Sequence, residues 1–480
     1  MPNNNAGAGS AHPKLSAEVL EYVKVNAPLL ALTHARVIDG TGARAREDQT
    51  VLVRGDRIEF AGDAASAGLP AEALVLDLTG QTVMPGLVGM HNHLFYTGCP
   101  NRDAQGRVAP PGALVNQISY TAPRLYLGCG VTTMRTTGSI EPYADLNLKK
   151  QVEAGRMPGP KMDVTGPFLN GAGPFPQMRA LRGPDDARRM VNYWADEGAT
   201  SFKAYMSITR AELAAAIEAA HARGLKVTGH LGSIGYREAA ALGIDNLEHG
   251  PIYTDTEFVP DKQPDVCPPI RSVVDFWEKT DIASAPVREM MHDLVQRGVA
   301  ITSTLAVFEL SLPGRPVLQP RVLDAMCAES RTSYLTLRAH GVFMGIPQPA
   351  PWESLFRKEM EFERAFAAAG GLLMAGPDPT GMGGVLPGFG DQRGVELLVE
   401  AGFTPLEAIA IATHNGARFL GQEDSIGSVA AGKRADLVVV RGNPAEKIAD
   451  IENVEIVFQD GVGYDPAKLV ESVRGQVGIR

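Results

Sequence analysis

Gly86-Leu87-Val88-Gly89-Met90-His91-Asn92-His93 is a short apolar run closed by two histidines one residue apart. In a β-strand, residues i and i+2 point to the same face. His91 and His93 would therefore aim two imidazoles at one point, an arrangement that suits a metal ion. Two surface histidines on an edge strand would show the same spacing. The pair gains meaning only if the ends of other strands supply further ligands.

Outward from this stretch the pattern is strand, helix, strand, helix. Strands are expected near 84–91, 131–136, 161–166, 200–205, 225–230, 244–249, 299–304 and 371–376. Amphipathic segments lie between them. One is Thr209 to Arg223, with Thr209 as N-cap, Glu212 in the first turn, and Leu213, Ile217 and Ala220 on one face. Another is Asp185 to Glu197. Eight strands alternating with helices predict an α/β fold, a (β/α)8 TIM barrel over residues 85–424. Two long irregular stretches, 251–285 and 310–352, would lie over the C-terminal face of the barrel, where loops are usually functional.

Both flanks read differently. Leu30 to Asp39, Thr50 to Val53, Arg57 to Gly62 and Leu74 to Leu78 are strand-like with no helix between them, and Gly55-Asp56 is a hairpin signal. From Ser425 the same character returns in Ile426–Val429, Ala435–Val440 and Asn453–Phe458, with a second turn at Asp460-Gly461. Residues 29–84 and 425–465 are therefore expected to build one small β-sandwich domain from both chain ends. Residues 1–28 form a polar lead, disordered to about residue 14, followed by a short helix over Leu15 to Lys24 with Ser16 as N-cap. Residues 466–480 form a C-terminal tail.

The chain has 480 residues, 44% hydrophobic and 21% charged, with a net charge of −10. This is ordinary globular usage with length for two or three domains at ~150 residues each. No basic stripe points to nucleic acid. No run of ~20 apolar residues points to a membrane span. No signal peptide is visible, so the expected location is cytoplasmic, or periplasmic or secreted for a form already trimmed of its signal. Cys99, Cys129, Cys267 and Cys327 form no C-x-x-C pair and are expected to be unpaired thiols.

In a barrel of this kind the reacting groups sit at the C-terminal ends of the strands. There the first strand offers His91 and His93, the fourth Lys203 and then Tyr205, the fifth His230, the sixth His249, and the eighth Asp378. Four of ten histidines thus share one rim with an aspartate and a lysine. Arg135 ends the second strand and offers a guanidinium to a substrate carboxylate or to a salt bridge within the barrel. Tyr205 falls on the face of Lys203, and Tyr253, Trp277 and Phe308 lie in or beside the long loops as candidate walls of a substrate pocket.

The chain resembles the amidohydrolase superfamily. The resemblance is carried by Val83-Met84-Pro85-Gly86-Leu87-Val88 before the histidine pair, by Gly128 to Thr133, by Leu247-Glu248-His249-Gly250, by Ala412-Thr413-His414-Asn415-Gly416-Ala417 and by Gly432 to Val438. Within the superfamily it is most similar to the imidazolonepropionase-like group, which includes dipeptidases and N-acyl-amino-acid hydrolases. The resemblance implies two divalent metal ions, most often Zn2+. His91, His93 and Asp378 would hold one ion, His230 and His249 the other, and Lys203 would bridge them as a carboxylated Nζ-carbamate. It also implies that Asp378 is the catalytic proton carrier. Two departures stand out: Thr136-Thr137 follow Arg135 where relatives place an acid, and Gln392 lies near where relatives often carry a histidine.

The function expected is that of a binuclear metal-dependent amidohydrolase, cleaving the C–N bond of a small-molecule substrate, a dipeptide or an N-acyl amino acid. Hydrolysis of a cyclic amide or lactone at the same site is the alternative. A non-catalytic scaffold is a third reading, disfavoured because every ligand position is filled. Relatives commonly form homo-oligomers, but no interface is legible in the chain.

Overall fold

The computed structural model describes residues 14–97, 115–171, 177–340, 342–343, 346–347, 351–379 and 383–478. The lead to residue 13, Cys99 and parts of the stretch 310–352 lie outside them.

Eight parallel strands carry the centre of the molecule. We label them β1 (Leu87–Gly89), β2 (Val131–Arg135), β3 (Lys161–Asp163), β4 (Ser201–Ala204), β5 (Lys226–Gly229), β6 (Asn246–Glu248), β7 (Ala300–Ser303) and β8 (Leu373–Ala375). They pair as a three-stranded sheet, β3-β2-β1, and a five-stranded sheet, β4-β5-β6-β7-β8. Between the two sheets, Gly166 N donates to Ser201 O (2.9 Å) and Met90 N to Ala375 O (2.9 Å). The architecture is α/β and TIM-barrel-like. All eight predicted strands are present, each shorter than the apolar run that announced it. His91 and His93 lie just beyond the end of β1, in the loop that follows.

The intervening helices follow their sequence signals. The helix Arg210–His221 opens on Thr209, whose side chain accepts from Glu212 N while the Glu212 carboxylate accepts from Thr209 N. Such a reciprocal cap satisfies two otherwise orphaned donors. Leu213, Ile217 and Ala220 are buried as the pattern required. The helix Pro184–Glu197 begins one residue ahead of its expected start.

The two stretches expected to be irregular are partly helical. Pro251–Thr254 and Ile270–Lys279 are helical within the first, and Pro320–Ala325 and Ala328–His340 within the second. The helix Ile270–Lys279 buries Val273, Val274 and Trp277 on one face, and the Trp277 indole donates to Asp255 O (3.1 Å). Ile270, Val273, Val274, Phe276 and Trp277 make half of this helix apolar, but Pro264, Pro268 and Pro269 just before it read as loop.

Strands from both chain ends share one nine-stranded sheet. Its order is Val23–Val25, Val462–Tyr464, Val454–Gln459, Leu437–Arg441, Gln81–Pro85, Leu29–Val37, Arg46–Arg54 and Arg57–Asp63, with Leu74–Asp77 pairing beside Leu29–Val37. The expected hairpin at Gly55-Asp56 joins Arg46–Arg54 to Arg57–Asp63. Leu437 and Val439 pack into the sheet's own core with Leu30, Val83 and Phe458, whereas Val438 and Val440 face the core of the parallel strands. A strand buried on both faces reads as a continuous apolar run, as Leu437-Val438-Val439-Val440 does. The helix expected over 15–24 is confined to Ala17–Leu20, capped by Ser16, because Val23–Val25 joins this sheet instead. The helix Pro466–Glu471 packs on the helix Thr121–Gly128, and Cys327 N donates to Val477 O. Among the described residues no helix is long and apolar enough to cross a membrane, and Cys129, Cys267 and Cys327 are free thiols.

Gly376, directly after β8, lets the chain pass against His91: a Cβ there would lie 2.1 Å from His91 N. The contact is with backbone and cannot relax by a rotamer change. Gly376→Ala is expected to cost about 1–3 kcal/mol or more, as overpacking does, measured by urea unfolding.

Candidate metal centre

The rim residues come together. His93 Nε2 lies 3.1 Å from Asp378 Oδ1, and His91 Nε2 lies 3.7 Å from the same oxygen. His249 Nε2 is 3.9 Å from Asp378 Oδ2 and 3.0 Å from His230 Nδ1. Lys203 Nζ is 3.2 Å from His91 Nε2. All six expected ligands thus form one connected cluster. Its tightest group joins the two expected halves: one ligand atom from each of His91, His249 and Asp378 falls within 4.8 Å of the others.

Three of the four imidazoles, those of His91, His93 and His249, are held from behind. His93 Nδ1 faces Thr136 O at 3.0 Å, so it carries the proton and leaves Nε2 bare. His91 Nδ1 faces Glu248 Oε2 at 2.8 Å with the same consequence. His249 Nδ1 pairs with Thr304 Oγ1 at 2.6 Å. An acceptor behind a ring fixes its tautomer and its direction, as metal-ligating histidines require. Asn92, between the two histidines, turns away and donates from Nδ2 to Asp391 Oδ1 (3.0 Å), while Asp391 caps the helix Phe389–Glu400. That contact ties the histidine loop to the element after β8.

The electrostatics favour bare donors. Burial, aided by the Lys203 charge, lowers His91 to about 4 and His230 to about 3. Burial and the neighbouring His230 hold His249 well below its ordinary value. Burial opposes ionisation of Asp378, but His91, His93 and His249 overcome it and keep the carboxylate well below its usual range. Burial lowers Lys203 to about 8, against the pull of Glu248 and Asp378. Neutral imidazoles, an ionised carboxylate and an amine that loses its proton near neutrality are the protonation states that metal ligation needs. The donor set fits a divalent ion.

Of the other expected residues, Tyr205 sits beside the cluster. Its ring centroid is 5.0 Å from that of His230 and 5.0 Å from that of Phe168. With Phe95 stacked on His93 (4.4 Å), these rings form an aromatic wall. Tyr253 is buried and stacks on Phe308 (3.8 Å), which in turn meets the His249 ring (5.3 Å). Arg135 is buried beneath the centre. It donates to Glu248 Oε1 (2.6 Å), Asn246 Oδ1 (2.7 Å) and Met90 O (2.6 Å). Gln392 is also buried, donating to Cys129 O (3.1 Å) away from the cluster.

Glu248 and Thr304 complete the site without a sequence signal of their own. Glu248 lies inside the Leu247-Glu248-His249-Gly250 motif, and an acid within a buried strand has to find a cation. Its partner, Arg135, is over a hundred positions away.

The model of the amidohydrolase family matches residues 82–462. An imidazolonepropionase from Caulobacter vibrioides (strain NA1000 / CB15N) is 33% identical over 117 residues, 24% of this chain and 26% of that protein. Another, from Xanthomonas oryzae pv. oryzae (strain PXO99A), is 26% identical over 264 residues, 47% of this chain and 64% of that one. The chain therefore spans less than two thirds of these relatives' length. Solved structures align over nearly the whole chain. A putative prolidase from Bifidobacterium longum has a TM-score of 0.66 at 24% identity, covering 93% of this chain and 98% of its own. A Xaa-Pro dipeptidase with bound methionine has a TM-score of 0.67 at 20% identity, with 91% and 100% covered. The A. niger ochratoxinase has a TM-score of 0.64 at 19% identity, with 94% and 100% covered.

Removing one member of a buried ion pair strands the other. Arg135→Met is expected to lower stability by about 3–5 kcal/mol, read by urea unfolding. A variant of parental stability with a raised KM would instead assign Arg135 to the substrate.

Proposed function

The chain belongs to the amidohydrolase family, and from that premise we propose that it hydrolyses the amide C–N bond of a dipeptide or an N-acyl amino acid at a binuclear metal centre. The observation that carries this reading is the convergence of His91, His93 and His249 on Asp378, with His230 against His249 and the buried Lys203 amine against His91. Neighbours described as a prolidase and a Xaa-Pro dipeptidase support a peptide-like bond as the target.

In this reading His91, His93 and Asp378 would hold one ion, and His230 and His249 the other. Imidazole and carboxylate donors suit zinc. Lys203 would serve both ions as a carbamate: its neutral Nζ would bond to the carbon of CO2 with one proton lost to solvent, giving an anionic ligand with two oxygens. Bound divalent ions would supply an acidified water and a Lewis acid for the carbonyl.

The chain's own residues then handle protons and position. Asp378, ionised in its ring of imidazoles, accepts the proton of the attacking water as oxygen adds to the carbonyl carbon. It returns that proton to the leaving nitrogen as the C–N bond breaks, so the amine departs neutral. Phe95, Phe168 and Tyr205 offer an apolar wall, and the Tyr205 hydroxyl is assigned to the substrate. Arg135 serves through Glu248, and Tyr253 through its stack on Phe308.

The accompanying fold reading takes β1 to β8 as one closed (β/α)8 barrel over 85–424, with the sheet from 29–84 and 425–465 as a sandwich-like domain beside it. The hydrogen bonds from Met90 to Ala375 and from Gly166 to Ser201 support closure.

With zinc supplied, a panel of Xaa-amino acids, N-acyl amino acids, lactams and lactones should show equal release of amine and carboxylate from open-chain amides. Turnover of lactams or lactones alone would sink the proposal. Lys203→Ala should lower activity by about three orders of magnitude or more, and bicarbonate should not restore it.

The carbamate also has a pH signature. Lys203, at about 8, is roughly one-tenth neutral at pH 7 and nine-tenths at pH 9. At fixed dissolved CO2, recovery of metal-stripped protein by zinc should therefore quicken about tenfold across that range. A rate independent of pH would remove the carbamate.

A further inference from the structure

The helix Trp352–Ala368 carries two fully buried glutamates four residues apart, Glu359 and Glu363. This spacing puts both on one face of the helix. Glu363 Oε2 accepts from Ser303 Oγ (2.8 Å). Glu359 Oε2 accepts from Ile252 N (3.1 Å). A Cβ built on Gly250 would lie 1.4 Å from Glu359 Oε1 and 2.4 Å from its carboxyl carbon. The carboxyl group therefore occupies the space that any side chain at 250 would need. This accounts for the glycine that closes Leu247-Glu248-His249-Gly250.

The braced turn is strained at its start. His249 has φ 69, in the left-handed region that a non-glycine residue enters at a cost. Such a conformation persists only where the surroundings enforce it. Thr304 holds the His249 ring, and His249 N donates to Thr302 O. On the far side of the turn the hold is Glu359. An apolar residue at 359 would leave Ile252 N–H without an acceptor inside the core.

We propose that Glu359 is a positioning residue of the metal centre: its side-chain oxygens brace the Gly250–Ile252 turn and so keep His249 in the left-handed backbone that aims Nε2 at Asp378 and His230. The consequence for metal rests on the binuclear reading above; the brace itself does not. Burial lifts Glu359 to about 8, so a neutral amide is a fair replacement for it.

The test compares Glu359→Ala, Glu359→Gln and Phe362→Leu, the last a cavity one turn further along the same helix. In metal-free protein, hydrogen exchange at the Ile252 amide should quicken by about tenfold or more in Glu359→Ala. It should stay near parental in Glu359→Gln, which keeps the acceptor. Zinc affinity, by competition with a chromophoric chelator, should fall about tenfold or more in Glu359→Ala and stay within about threefold in Glu359→Gln. Phe362→Leu should lower Tm and leave both readouts unchanged. If Glu359→Ala does not fold, Gly250→Ala, which displaces the carboxyl group, should reproduce its losses. Parental exchange in Glu359→Ala, or an equal effect of Phe362→Leu, overturns the proposal. A parental protein that takes up no zinc overturns the metal reading, and the exchange result still decides the brace.

Discussion

The ion pair between Arg135 and Glu248 is the contact on which the rest of the site depends. Both side chains are almost wholly out of solvent, 2.6 Å apart, inside a shell of parallel strands. Neither charge would be tolerable there alone. Together they tie β2 to β6, and the guanidinium also reaches Met90 O at the end of β1. The second carboxylate oxygen lies 2.8 Å from Nδ1 of His91. Strand spacing, imidazole tautomer and ligand direction thus share one electrostatic anchor. Thr228 Oγ1 also donates to Glu248 Oε1, the oxygen that Arg135 holds.

Above this anchor the protein accumulates features that oppose folding. Four imidazoles, an amine and a carboxylate crowd one partly dry space. Two of these residues, His249 and Asp378, have left-handed backbone at φ 69 and φ 51. Each such residue costs of order 1–3 kcal/mol. Asp378 is held by its own N–H to His91 O (3.0 Å) and by the close passage of Gly376. A cation that gathers the donors would offset the crowding, and its binding would then couple to stability through the same atoms.

Much of this was legible in the sequence. The eight strands announced themselves as apolar runs between amphipathic helices, and the rim residues followed from asking what ends each strand. The capped helix at Thr209 was readable because capping is local. What stayed hidden depends on distant pairing. Val23–Val25 reads as the end of a helix until its partner, Val462–Tyr464, is known. Glu248 and Glu359 show no role until Arg135 and the Gly250 turn are placed beside them.

The mixed sheet has a consequence for how the chain is made. Gln81–Pro85 hydrogen-bonds to Leu437–Arg441, and Val23–Val25 to Val462–Tyr464. The strands that lead into β1 are synthesised first, and their partners last, after all eight parallel strands have left the ribosome. At about 5–20 residues per second, the nascent N-terminal strands wait on the order of tens of seconds with an unpaired apolar edge. Until Leu437–Arg441 arrives, the backbone groups of Gln81–Pro85 on that side stay open to pairing with any other strand.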